Sequence, residues 1–113
     1  MDRTPISQSG LLPGTLDLLV LKTLTRCPLH GYGIAQYLLQ TTESFLAVGE
    51  GTLYPALQRL VVSGWALTEW KPSDTGRRAR YYTITPAGRK HLKNQEREFE
   101  QMVDAIRLVL KAV

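Results

Sequence analysis

At Gly64 the apolar period of the chain changes from helical to extended, and that change dictates most of the architecture open to it. Before this point apolar residues recur in steps of three and four. After it they alternate, until Pro86 returns the chain to helical spacing. The order is therefore helices, one pair of strands, and a last helix.

Three helices are predicted upstream. Leu16, Leu19, Val20 and Leu24 mark the first, with Leu18 and Leu21 widening its apolar face. It opens after Pro13-Gly14 and closes at Cys27-Pro28, because the residue before proline avoids the helical region. So broad a face predicts a helix at the centre of the domain. The second runs from about Gly31, through Ile34, Ala35, Tyr37 and Leu38, to about Gln40, and confines its glycines to the first turn, where they cost least. Ser44 to Val48 is a short apolar piece with the length of a minimal strand. The third helix, from about Glu50 to Ser63, carries Leu53, Leu57 and Leu60 as one narrow stripe, places Pro55 within or next to its first turn, and stops at Gly64. The stripe leaves Thr52, Tyr54, Gln58, Arg59 and Val62 on its other faces.

Beyond Gly64, Trp65 to Lys71 and Arg80 to Thr85 read as strands rich in β-branched and aromatic residues. Pro72 to Gly76 between them is dense in turn formers, which makes the pair a hairpin. Arg77, Arg78 and Arg80 lie at its tip and return, and Lys71 on the opposite strand. Trp65 and Trp70, an odd number of residues apart, should face opposite sides, one inward and one partly exposed. Thr85-Pro86 then starts a helix running to Val113. Leu92, Glu96, Phe99, Val103, Ile106, Leu110 and Val113 alternate in steps of four and three, the spacing of a short coiled-coil seam. Its simplest use is pairing with a second copy; folding back onto its own domain is the other reading.

The fold class expected is mainly α with a small β-hairpin: a winged helix-turn-helix at 14–85, a loose arm at 1–13 and a C-terminal dimerisation helix at 86–113. At 113 residues with 43% apolar content the chain forms one domain of modest core, and a second copy would bury surface that so short a chain leaves open. The net charge of +4 is unevenly placed. Ten Lys or Arg face six Asp or Glu over 1–91, and four face four over 92–113. A basic body with a neutral tail fits a polyanion-binding module joined to a helix with another task. No apolar run is long enough to cross a membrane, and Met1 to Ser9 is polar, so the expected address is cytoplasmic. Cys27 has no cysteine to pair with and reads as a small residue at a helix end. His30 and His91 lack Cys, Asp or Glu at ligand spacing, which argues against a metal; His30 suits a cap at a helix start. No nucleophile–base pair, phosphate loop or facing carboxylates are legible, so neither an enzyme nor a cofactor is expected.

The chain resembles the PadR family of transcriptional regulators, in its short form with a single C-terminal helix. The resemblance spans about 14–112. It is carried by Leu16-Asp17-Leu18-Leu19-Val20-Leu21, by His30-Gly31-Tyr32, by Gly51-Thr52-Leu53-Tyr54-Pro55-Ala56-Leu57 with Arg59-Leu60 and Gly64-Trp65, and by Arg80-Tyr81-Tyr82 with Thr85-Pro86-Ala87-Gly88. It implies a homodimer whose winged helices sit apart while the last helices pair through Leu92, Phe99, Val103, Ile106 and Leu110. Such a dimer binds an inverted-repeat operator in double-stranded DNA, usually as a repressor. By position, Gly51, Thr52, Tyr54 and Pro55 open the recognition helix, and Arg77 and Arg78 belong to the wing. Gly49 stands where a stronger cap such as Ser or Asn is expected. Relatives bind planar aromatic or cationic effectors near the paired helices through a tryptophan. The last helix here has Phe99 and no tryptophan, which leaves a small aromatic effector as an open possibility.

The residue chemistry supplies roles beside the resemblance. Gln58 suits adenine and Arg59 guanine, each worth about 1–3 kcal/mol of discrimination when bidentate. Tyr54 suits a phosphate, or a core position given its nearness to Leu53. Lys71, Arg77, Arg78 and Arg80 suit phosphate or minor-groove contact, or simply a solvated loop. The rival class is a winged helix that serves as a protein-interaction module. It would carry an acidic or apolar third helix and an uncharged wing, and this sequence has neither.

Overall fold

The computed structural model describes residues 14–112, so the arm at 1–13 and Val113 lie outside it. Its elements are α1 (Thr15–Leu24), β1 (Leu29–His30), α2 (Gly31–Thr41), α3 (Glu50–Val62), β2 (Ala66–Pro72), β3 (Arg78–Ile84) and α4 (Pro86–Ala112). The winged helix-turn-helix with a long C-terminal helix is the fold that the change of period implied.

Helix α1 touches α2, α3, α4 and β3, as its broad apolar face requires. Val20, Leu21 and Leu24 meet Ile34 and Leu38 of α2, and Leu53, Ala56, Leu57 and Leu60 of α3, all buried. Ala66, Tyr82 and Ile84 close the core from the sheet. Each large aliphatic side chain taken fully out of water contributes about 1.5–3 kcal/mol, so these three helix faces carry most of the fold.

The sheet has three strands in the order β1-β3-β2, all antiparallel. The third strand was not legible: two residues are too few for a periodic signal. Pro28 favours extended backbone before it, and Leu29 and His30 pair with Tyr82 and Tyr81. The strand expected at 44–48 is instead a turn with one bridging residue, Leu46. Glu43 and Ser44 there take left-handed backbone, φ 53° and 66°, which no run of apolar residues would announce. Helix α1 ends at Leu24, short of Cys27, because Thr25 folds its hydroxyl onto the Lys22 carbonyl at 2.6 Å. Cys27 itself is exposed. Pro55 is the sixth residue of α3, just past its first turn, and leaves the Gly51 carbonyl without its helical donor.

The junction with α4 is tightly specified. The Thr85 hydroxyl donates to the Gly64 carbonyl at 2.7 Å and accepts the Gly88 amide at 2.9 Å, capping the helix. Gly88 is buried against the Trp65 carbonyl, where any Cβ would collide. One turn on, the His91 ring stacks on Trp65, centroids 3.4 Å apart and planes within 10°. Leu92 is buried in the core and Glu96 pairs with Lys22 of α1 at 2.9 Å. From Arg97 onward no described side chain of α4 is buried. The helix, about 40 Å long at 1.5 Å per residue, thus begins inside the domain and ends outside it.

Candidate nucleic-acid interface

Helix α3 presents Gly51, Tyr54, Pro55 and Gln58 to solvent, with Thr52 half-buried beside them. Their positions follow from the Leu53, Ala56, Leu57, Leu60 stripe, which faces inward. Gly49 caps the helix with extended backbone and no side-chain bond. Tyr54 is neither core nor free: it is 46% exposed, with its ring lying over Gly31, where a Cβ would stand 3.1 Å from the hydroxyl. His30 closes the start of α2 by accepting the Gly33 amide on Nδ1 at 3.0 Å, the capping role its position suggested.

Arg59 requires a correction. Its guanidinium grips Asp17 of α1 with both arms, Nε to Oδ2 at 3.1 Å and Nη2 to Oδ1 at 2.7 Å. The bonds to the carboxylate hold its pKa above the ordinary value. The fork that guanine would need is already occupied within the fold. A partner 42 positions upstream, on another helix, leaves no trace in local spacing.

The wing sorts its cations by strand register. Trp70 pairs with Arg80, Pro72 with Arg78 and Thr68 with Tyr82, so these side chains share one face. Lys71 lies on the other face, its ammonium 4.5 Å over the Tyr81 ring and 4.0 Å from Glu69. Arg77 sits in the turn, exposed. Arg80 is steadied by an Nε bond to the Thr68 hydroxyl at 2.9 Å. Among the described residues neither Arg77 nor Arg78 has an ion-pair partner. The four wing cations read as one patch in the sequence are three arginines and a separate, partly neutralised lysine.

The arginine face looks across a groove of about 940 Å³ toward the start of α2. His30, Tyr32, Gln36, Tyr54, Trp70 and Arg80 are among its walls. Tyr32 is 70% exposed and its hydroxyl accepts from the Gln36 amide at 3.1 Å, leaving the phenol proton free to donate. Tyr32 and Gln36 were missed in the sequence. They were findable, because they stand one turn apart on the face of α2 opposite Ile34 and Leu38. Trp70 is exposed and Trp65 half-buried, but not through strand alternation: Trp65 precedes β2, and Trp70 shares the face of buried Ala66 and Tyr82, beyond the edge of the core.

A second surface lies on α4. Phe99, Ile106 and Leu110 are exposed and Val103 half-buried, joined by Met102 and Val109. Leu92 does not belong with them: at 4% exposure it is a core residue of its own domain, and the Lys22–Glu96 pair holds that turn against α1. The helix therefore folds back for its first turns and is unpartnered beyond. Among the described residues no three His, Cys, Asp or Glu gather as a metal site, and no helix is long and apolar enough to cross a membrane.

A helix-turn-helix followed by an arginine-bearing hairpin is a winged-helix architecture. The model of the transcriptional regulator PadR-like family matches residues 20–94, and the chain belongs to that family. Its members are regulators of transcription and not enzymes. A transcriptional regulator of Mycobacterium tuberculosis is 44% identical over 55 residues, 49% of this chain and 50% of that one. A transcriptional regulator from Clostridium thermocellum superposes with a TM-score of 0.74 at 31% identity, over 80% of this chain and 88% of its own. The fold also matches Bacillus subtilis PadR, solved in complex with operator DNA, with a TM-score of 0.64 at 24% identity, over 73% of this chain and 46% of that one.

Proposed function

We propose that the protein acts as a homodimeric repressor binding an inverted-repeat operator. The observation that carries this reading is the shared groove between the start of α2, Tyr54 of α3 and the arginine face of the wing, with the exposed Gln58 one turn further along α3. A helix fits the major groove, and its first turns reach base edges. Gln58 and Thr52 are the base readers in this arrangement, while Gly51 and Pro55 let the backbone approach. Tyr54 and Tyr32 hydroxyls donate to phosphate, and Arg77, Arg78 and Arg80 hold the flanking backbone. Lys71 contributes only to the general field, and Arg59 is held at the flank of α3 by Asp17.

The exposed stretch of α4 from Phe99 to Leu110 pairs with its counterpart in a second copy. Two recognition helices then lie about 34–36 Å apart on one side of the duplex, which calls for a pseudo-palindromic site. Release by a small aromatic effector fits the same arrangement, since Phe99 offers a half-exposed ring beside the paired helices.

Selection of bound duplexes from a random pool, read at two salt concentrations, tests the reading. An enriched inverted repeat, with affinity falling steeply from 50 to 200 mM salt, is the expected result. Binding without enrichment, or without a salt slope, overturns it.

A further inference from the structure

Resting on the dimeric operator reading, we propose that the Trp65–His91 stack sets the angle between α4 and the winged helix, and thereby the spacing of half-sites the dimer accepts. His91 and Trp65 are positioning residues: they reach DNA only through the elements they join.

The argument starts from where α4 is fastened. Beyond Glu96 no described side chain of the helix is buried, so the buried ties that set its direction lie in its first three turns. Two kinds of tie act there. One is pivotal: Thr85 bonds the Gly64 carbonyl and the Gly88 amide, and Gly88 presses on the Trp65 carbonyl, all close to the helix start. Ties at one end fix a position but leave a lever free to swing. The other kind sits further along and resists the swing. On one side Leu92 and the Lys22–Glu96 pair hold the helix to α1. On the other, His91 lies flat against Trp65 at 3.4 Å.

Trp65 is well chosen as an anvil. It stands between α3 and β2, so the recognition helix ends and the wing begins on either side of it. Its amide bonds the Leu60 carbonyl of α3 at 2.9 Å, and its carbonyl accepts the Thr85 amide at 3.0 Å. The ring is half-buried and packs against the core. With the two rings nearly parallel and in van der Waals contact at 3.4 Å, the helix cannot tilt toward Trp65 without a clash, so the stack limits orientation on that side. A tilt at this joint is carried out to the seam at Phe99 through Leu110, and by symmetry it moves both recognition helices.

Bidentate binding depends steeply on such geometry: avidity from a second site is lost when the two heads cannot engage together. The test is a panel of duplexes carrying two half-sites with the spacer varied base pair by base pair, together with a single half-site. Wild type, His91→Ala and His91→Phe are measured on all of them, with sedimentation to follow the dimer. His91→Ala is expected to bind the single half-site as wild type does and to remain dimeric. At the preferred spacer it should lose about tenfold or more, while its profile broadens toward neighbouring spacers. His91→Phe, which keeps a flat ring, should restore the sharp profile. A uniform loss across all spacers, or an unchanged profile in His91→Ala, overturns the proposal and makes the stack ordinary packing. Failure of the wild type to prefer any spacer refutes the dimeric operator reading itself, and is visible before any variant is made.

Discussion

At the scale of single residues, two contacts have consequences that run against what their types suggest. Gly88 is required not by a turn but by proximity, since its missing Cβ is the space occupied by the Trp65 carbonyl. Gly88→Ala should lower stability by about 1–3 kcal/mol, the range for overpacking, read as a fall in thermal midpoint. Asp17 is the other. Its pair with Arg59 is worth less than about 1 kcal/mol, because the guanidinium is 56% exposed and solvent screens it. Asp17→Ala should therefore barely change stability, yet release a cation beside the recognition helix. Tighter duplex binding at low salt, with a salt slope steeper by about one, is the expected outcome. The pH sign is fixed as well. Arg59 is held above its ordinary pKa, so the guanidinium's contribution is complete at neutral pH and declines only as strong alkali removes its proton. Denaturation midpoints near neutrality should not report it.

At the scale of elements, the strand register divides what charge counting merged. Arg78→Ala with Arg80→Ala should weaken binding to all sequences about equally and flatten the salt slope by about two, at 0.9 per phosphate contact. Lys71→Ala, on the opposite face and beside Glu69, should change the slope much less. A Lys71 effect equal to the arginines' would place the other face of the wing on DNA. The same contrast shows how much was legible beforehand. The helices, the hairpin and the last helix were readable because their apolar periods extend over ten or more residues or bracket a turn. The strand β1 and the left-handed turn at Glu43-Ser44 were not, since each is set by two residues. On the candidate surface, the exposed placement of Tyr54, Gln58 and the wing arginines was legible from helical and strand spacing. Arg59 and Leu92 were misplaced, because their partners, Asp17 and the α1 face, are distant in sequence and adjacent only in the fold.

At the scale of the whole molecule, the protein is a lever: 55 Å in its longest dimension, with the domain at one end and an unpartnered apolar helix at the other. Phe99→Glu with Ile106→Glu should give folded monomers, because these half-exposed side chains belong neither to the buried core nor to the residues packed against it. Leu92→Glu should instead unfold the domain, as a charge buried at 4% exposure has no partner there. Sedimentation and circular dichroism together distinguish the two outcomes. The strand β1 carries a last consequence. His30 ends that strand, caps α2, and meets Tyr81 edge-on at 5.1 Å, so the root of the wing and the start of α2 are one covalent and hydrogen-bonded piece. Contacts made by the wing and contacts made by α2 and α3 are thereby energetically coupled. A double-mutant cycle between Arg80 and Gln58, read in duplex binding, should depart from additivity even though the two side chains stand on different elements.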